Sequence, residues 1–279
     1  MFDLCKNIFL LFLINCSVLF SQKIQLEKII QLDFNPFRFS INENQKTIFF
    51  IDQESNEIIK TDFEGSVIKR IGGFGWGDEQ FDLPSDIIST PIEVFVADFN
   101  NHAIKRYDFN LNFISSVLQT PQVSFEFPLS IALSNTGELF ILDSKRKSVL
   151  RINRFNHIDE FVGNYQRGNV FFESPKRIHV DANLNLYILD VDFLFVFDRF
   201  GNLLRNIRLD DKVIDFFPVD NELYLLTKDK IFKISETQIV EFYLKEFFSE
   251  EVELKQIEIK FGKIFLLAAN YLFVLTMTK

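Results

Sequence analysis

Short runs of β-branched and aromatic residues alternate with brief polar turns along most of the chain, and the runs fall into a long repeat. The segment Phe81-Asp82-Leu83-Pro84 returns as Phe125-Glu126-Phe127-Pro128 and Phe172-Glu173-Ser174-Pro175, with a shortened form at Phe34-Asn35-Pro36. The prolines therefore step by 48, 44 and 47 residues. Each is followed by a β-type run, a polar turn and a second run that closes on aspartate. These second runs are Ile48-Phe49-Phe50-Ile51-Asp52, Val94-Phe95-Val96-Ala97-Asp98, Leu139-Phe140-Ile141-Leu142-Asp143 and Leu186-Tyr187-Ile188-Leu189-Asp190, and their aspartates step by 46, 45 and 47 residues. Two further strands complete each unit, as in residues 149–152 and 158–162.

Two more units keep the rhythm without the marks. The fifth offers runs at 213–216, 223–226, 231–234 and 239–242; the sixth offers 257–259, 264–267 and 271–275, one strand short. A surplus β-type segment, Ile24 to Leu32, precedes the first unit and supplies what the sixth lacks. Six units of about 43 residues, four strands each, predict an all-β, six-bladed β-propeller of antiparallel sheets closed by an N-terminal strand, spanning 22–279. A horseshoe solenoid needs shorter, Leu-rich repeats and has no use for the surplus strand.

The second unit carries a family resemblance. Gly72-Gly73-Phe74-Gly75-Trp76-Gly77-Asp78-Glu79-Gln80-Phe81-Asp82-Leu83-Pro84, followed by Val96-Ala97-Asp98-Phe99-Asn100-Asn101-His102-Ala103-Ile104-Lys105-Arg106-Tyr107-Asp108, closely resembles the NHL repeat. Units one, three and four resemble it less, and the last two faintly. The resemblance implies a rigid disc that serves chiefly as a binding platform, with a minority of enzymes on related six-bladed folds.

Residues 1–21 read differently. After Lys6 comes the apolar run Ile8 to Ile14, then Val18-Leu19-Phe20, ending at Ser21-Gln22. This reads as a secretory signal cleaved after Ser21, or as an uncleaved membrane anchor, and predicts export to the periplasm, cell surface or medium. Both cysteines, Cys5 and Cys16, lie inside it, so the mature chain has no thiol for disulfides, metal ligation or nucleophilic catalysis. Leu13-Ile14-Asn15-Cys16 resembles a bacterial lipoprotein box.

Composition changes the picture little. The 36 phenylalanines fit strands packed between sheets, although an A+T-rich genome explains them equally well. Net charge is −9, which disfavours nucleic acid as a partner. The charge is uneven: residues 22–98 hold 7 basic and 14 acidic side chains, residues 99–208 hold 13 and 11.

Candidate chemistry is sparse. The repeated Asp52, Asp98, Asp143 and Asp190 suit a structural role, accepting backbone N–H groups in the next turn. The three histidines, His102, His157 and His179, fall in a turn, near a turn and in an innermost strand, a spread that argues against a zinc site. Asp86, Asp215 and Glu258 lie on innermost strands, where lactonase-like relatives hold a divalent cation, but they read as different repeat phases. No Gly-x-Ser-x-Gly elbow or Walker loop is present.

Loops between blades, and loops joining a blade's second and third strands, open on one face. This places Lys145, Arg146, Lys147, Tyr165, Arg167, Lys176 and Arg177 on a basic arc opposite an acidic one carrying Asp78, Glu79, Asp82 and Asp86, with Trp76 and Tyr165 as flat contacts. The leading expectation is a monomeric, non-catalytic exported propeller, without catalytic residues or bound metal, docking an acidic protein, peptide or glycan through that arc. The alternative is a lactonase-like hydrolase or lyase using calcium or magnesium in the channel.

Overall fold

The computed structural model describes residues 22–117, 124–153, 157–163, 170–248 and 252–278; the predicted signal, Tyr165 and Arg167 lie outside them. Within these residues the chain forms six four-stranded antiparallel sheets. Strand β1 (Lys23–Gln31) comes first. Blade one holds β2 (Arg38–Asn42), β3 (Thr47–Asp52), β4 (Glu57–Asp62) and β5 (Val67–Gly72). Blade two holds β6 (Pro84–Ser89), β7 (Glu93–Asp98), β8 (Ala103–Asp108) and β9 (Phe113–Ser116). Blade three holds β10 (Pro128–Leu133), β11 (Leu139–Asp143), β12 (Ser148–Ile152) and β13 (Ile158–Val162). Blade four holds β14 (Pro175–Val180), β15 (Leu186–Asp190), β16 (Phe193–Phe197) and β17 (Leu203–Arg208). Blade five holds β18 (Asp215–Val219), β19 (Glu222–Leu226), β20 (Lys230–Ile234) and β21 (Ile239–Tyr243). Blade six holds β22 (Leu254–Lys260), β23 (Lys263–Ala268) and β24 (Tyr271–Thr278).

The sixth sheet runs β1-β24-β23-β22, so the surplus N-terminal strand is its outer strand, as the sequence predicts. Lys23 pairs with Thr278 and Gln31 with Tyr271, with one register shift between Leu26 and Lys28. The innermost strands neighbour one another in the cycle β2, β6, β10, β14, β18, β22 and back to β2. The wheel is closed.

Alternating side chains on a strand point to opposite faces of its sheet, and in a propeller both faces are buried against neighbouring blades. Each of the six apolar clusters accordingly fills one joint. Phe49 and Ile58 of blade one meet Ile87 and Val96 of blade two, and Phe140 and Leu142 of blade three meet Ile188 and Phe195 of blade four. Strand β1 contributes to two joints: Ile24 packs with blades five and six, while Ile30 packs with blades six and one.

The repeated aspartates bear out their structural reading and do more than cap a turn. Asp143 Oδ1 accepts the N–H groups of Lys145 and Arg146, both at 3.0 Å, while its Oδ2 accepts Glu126 N–H at 2.9 Å from the loop leading into the blade. Asp52 likewise joins its own turn to Asn35. Asp190 accepts from Glu173 and Ser174. Asp52 and Asp143 thereby tie a turn to the lead-in loop of their own innermost strand, Asp98 does so through Asp82 N–H and the Asn101 side chain, and Asp190 holds the lead-in loop.

Those lead-in loops carry strain. Leu83 and Phe127, each preceding a proline, sit at φ 57° and 51°, in the left-handed region that such residues rarely adopt. The turn of the preceding blade holds each in place. Asn56 Oδ1 accepts Leu83 N–H at 2.7 Å, and His102 Nδ1 accepts Phe127 N–H at 3.1 Å. His102 is therefore a latch between blades two and three.

Candidate functional site

The central channel is lined by residues at equivalent places on the six innermost strands. Arg38 pairs with Ile51, Asp86 with Ala97, Ser130 with Leu142, Arg177 with Leu189, Asp215 with Leu226 and Gln256 with Leu267. In the first four blades the partner is the residue just before the strand-ending aspartate, so these six form one ring. Two residues along the strands lies a second ring: Ser40, Ile88, Ala132, His179, Phe217 and Glu258. Asp86 and Asp215 thus share one repeat phase after all, and Glu258 lies one step beyond. In blades one to four the first-ring residue follows its proline by two positions, whereas blades five and six lack that proline and give no such count for Asp215 or Glu258.

Polar members of these rings lash each blade to the next. Ser89 N–H donates to Ser40 Oγ at 2.9 Å, Ile131 N–H to Asp86 Oδ2 at 2.8 Å, and Ile178 N–H to Ser130 Oγ at 3.2 Å. Ile257 N–H donates to Asp215 Oδ2 at 3.0 Å and Phe39 N–H to Gln256 Oε1 at 2.8 Å. Across the joint between blades four and five the contacts differ: Arg177 meets Asp215, and the His179 ring stands edge-on to Phe216 and Phe217, at 5.0 and 5.1 Å between centroids.

Arg177 is the centre of the first ring. Its Nη1 donates to Asp86 Oδ1, and its Nε lies 3.3 Å from Asp215 Oδ1 in an ion pair not aligned as a hydrogen bond. All three side chains are buried. Burial works against the guanidinium charge, but Asp86 and Asp215 outweigh it and hold the Arg177 pKa above its usual value. Arg38, half-buried, donates to Lys255 O at 2.7 Å. Its pKa falls to about 10, first through burial and then through Arg177.

The second ring holds the groups with chemistry to spare. Burial raises the Glu258 pKa to about 7, against the opposing pull of Lys260, the Ile41 N–H and Arg177; Ile41 N–H is 3.4 Å from its Oε1. Burial, reinforced by Arg177, Arg38 and Lys260, pushes the His179 pKa well below that of free imidazole, so the ring is neutral. Its Nε2 is buried and meets no hydrogen-bond partner. A buried ring nitrogen without a partner is costly and marks a place where a ligand group would be satisfied.

A divalent cation does not suit this donor set. Asp86 and Asp215, the carboxylates best placed for it, are already neutralised by Arg177, and no cluster of three or more His, Cys, Asp or Glu able to hold a metal occurs among the described residues. The histidines do not converge: His102 latches a loop, His157 is exposed and His179 lines the channel.

The proposed basic arc is only partly assembled. Lys145, Arg146, Lys147 and Lys176 are exposed, and Trp76 is 78% exposed. Lys145 pairs with Glu126 at 2.6 Å, and Arg146 lies 3.7 Å from Asp143, so two of these charges are shared with nearby carboxylates. Arg177 does not belong to the arc. Pro175 already begins the strand, which carries Arg177 inward to the channel at 4% exposure. Asp86 leaves the acidic arc for the same reason.

Comparison with solved structures places the whole wheel. A streptogramin B lyase structure matches with a TM-score of 0.63 at 13% identity, covering 92% of this chain and 98% of that one. Selenomethionine-substituted virginiamycin B lyase from Staphylococcus aureus matches with a TM-score of 0.62 at 14% identity, covering 92% and 100%. A catalytically inactive histidine-to-alanine variant of the same enzyme, with quinupristin, gives 0.61 at 15%, covering 86% and 80%. No family model matches the sequence, and no curated protein does. At such identities the likeness establishes the fold. It also corrects the leading functional expectation: these neighbours are enzymes, so the wheel does not imply a non-catalytic platform, and the lyase alternative accords better with them.

Proposed function

We propose that the chain is a lyase-type propeller enzyme whose central channel supplies acid–base groups. The observation that carries this reading is the second ring, in which a carboxyl titrating near neutrality and a neutral imidazole with an unengaged Nε2 line the same channel. An eliminative cleavage needs a base to take a proton from carbon and an acid to protonate the departing atom, and efficient groups titrate near the working pH. Glu258, which titrates near neutrality, can hold the proton for the departing atom, and the neutral His179 offers an unengaged ring nitrogen to the role of base. The guanidinium groups of Arg177 and Arg38 add positive potential that favours charge developing on a substrate carbonyl oxygen. The assignment to lyases, rather than to another propeller enzyme, rests on fold likeness and on the chemistry of this ring. The apolar segment 1–21 supports an exported location.

The test is product analysis after incubating the purified protein with quinupristin and a panel of lactones. Ring opening by elimination leaves the mass unchanged and creates a double bond, whereas hydrolysis adds water. We expect eliminated product, lost in His179→Ala and Glu258→Gln. Natively folded protein that turns over no member of the panel overturns the reading.

A further inference from the structure

We propose that Arg177 is the resident cation of the channel, filling the place of a divalent ion between Asp86 and Asp215, and that these two carboxylates form a latent divalent-cation site which removing Arg177 exposes. The inference goes beyond the lyase reading and does not require it.

Three observations support it. Asp86 and Asp215 come from blades two and five, distant in sequence, yet nitrogens of a single guanidinium reach both. Their second oxygens are fixed by backbone N–H groups of Ile131 and Ile257, at 2.8 and 3.0 Å, which holds the carboxylates in place independently of Arg177. Asp215 Oδ1, fully buried, accepts no hydrogen bond and is satisfied by charge alone. Such an oxygen suits a hard cation, for which directional donors are unnecessary. Two aspartates and two arginines, Arg38 included, leave the first ring neutral. A divalent ion added to it would carry uncompensated charge into a buried site. With Arg177 absent, the same ion would find two preorganised carboxylates and one remaining arginine.

The experiment is thermal melting in EDTA, calcium, magnesium and manganese. The wild-type protein is expected to melt at one temperature in all four. Arg177→Met is expected to melt lower in EDTA and to recover by about 3 °C or more with calcium or manganese, a recovery that Asp215→Asn added to it abolishes. If Arg177→Met folds only when an ion is present during refolding, the inference also stands. Arg177→Lys retains a fixed charge and should remain indifferent to the ions. The inference is overturned by wild-type stabilisation in calcium, magnesium or manganese that Asp86→Asn or Asp215→Asn removes. It also falls if Arg177→Met gains nothing from any ion. None of these readouts depends on turnover, so the outcome is separate from that of the lyase test.

Discussion

The Ser130 hydroxyl donates to the Asp86 carboxylate at 2.8 Å across the joint between blades two and three. The same oxygen accepts Ile178 N–H from blade four, so one small side chain connects three consecutive blades. Ser130→Ala leaves a buried N–H and a buried carboxylate oxygen each one partner short. We expect a loss of about 2 kcal/mol in stability, measured by denaturant unfolding with an unchanged m-value.

Glu258 makes stability depend on pH in an unusual direction. Its carboxyl titrates at 4.5 when free and at about 7 in the folded protein, so between these values the folded state holds more protons than the unfolded one. Stability therefore falls as pH rises through that window and levels off above it. Asp215, also raised, first by burial, acts with the same sign. Glu258→Gln should flatten much of the decline in melting temperature from pH 5 to 7, leaving the slope due to other groups. An unaltered profile would show that Glu258 is not the titrating group.

Neighbouring isoleucines on β1 test the closing strand. Ile30 is 3% exposed and packs with Leu272 and Val274, whereas Ile29 is 48% exposed. Ile30→Ala should cost about 3 kcal/mol and Ile29→Ala less than about 0.5. Equal effects in chemical denaturation would mean that β1 is not seated in this register.

Lys105 anchors the loop that displays Trp76. Its ammonium lies 2.9 Å from Asp98 Oδ2 and donates to the carbonyls of Gly77 and Gln80, while Asn101 Nδ2 donates to Gly75 O at 2.8 Å. Lys105→Met leaves Asp98 buried without its cation and should destabilise by about 3 kcal/mol. Because Trp76 is the single tryptophan, its fluorescence anisotropy reports the loop directly and should fall while the circular dichroism stays native.

The wheel was legible because its repeat is built from residues with special backbone duties. Proline marks the start of each innermost strand in blades one to four, aspartate ends the second, and the unpaired run before Phe34 announces the closure. The rings were not legible because the last two blades lack the markers. Val213 and Leu254 stand where the other blades carry the proline two residues before the ring position, and blade five carries Thr227 where an aspartate would have served as a second ruler. Arg177 was misplaced because Lys176-Arg177 reads as a charged loop, and only cross-strand pairing with Leu189 reveals a strand residue facing the channel. The signal that could have found it was the proline: Arg177 follows Pro175 by two residues, as Arg38 follows Pro36, Asp86 follows Pro84 and Ser130 follows Pro128.

The antiparallel union of β1 with β24 also imposes an order in time. On the ribosome, β1 emerges before β2 to β23 and its partner β24 after them, so a strand bearing Ile24 and Ile30 must wait, its backbone paired only with water, until the intervening chain has been made. Contacts so far apart in sequence form slowly, and the waiting strand is a natural target for chaperones or for pairing with another nascent copy.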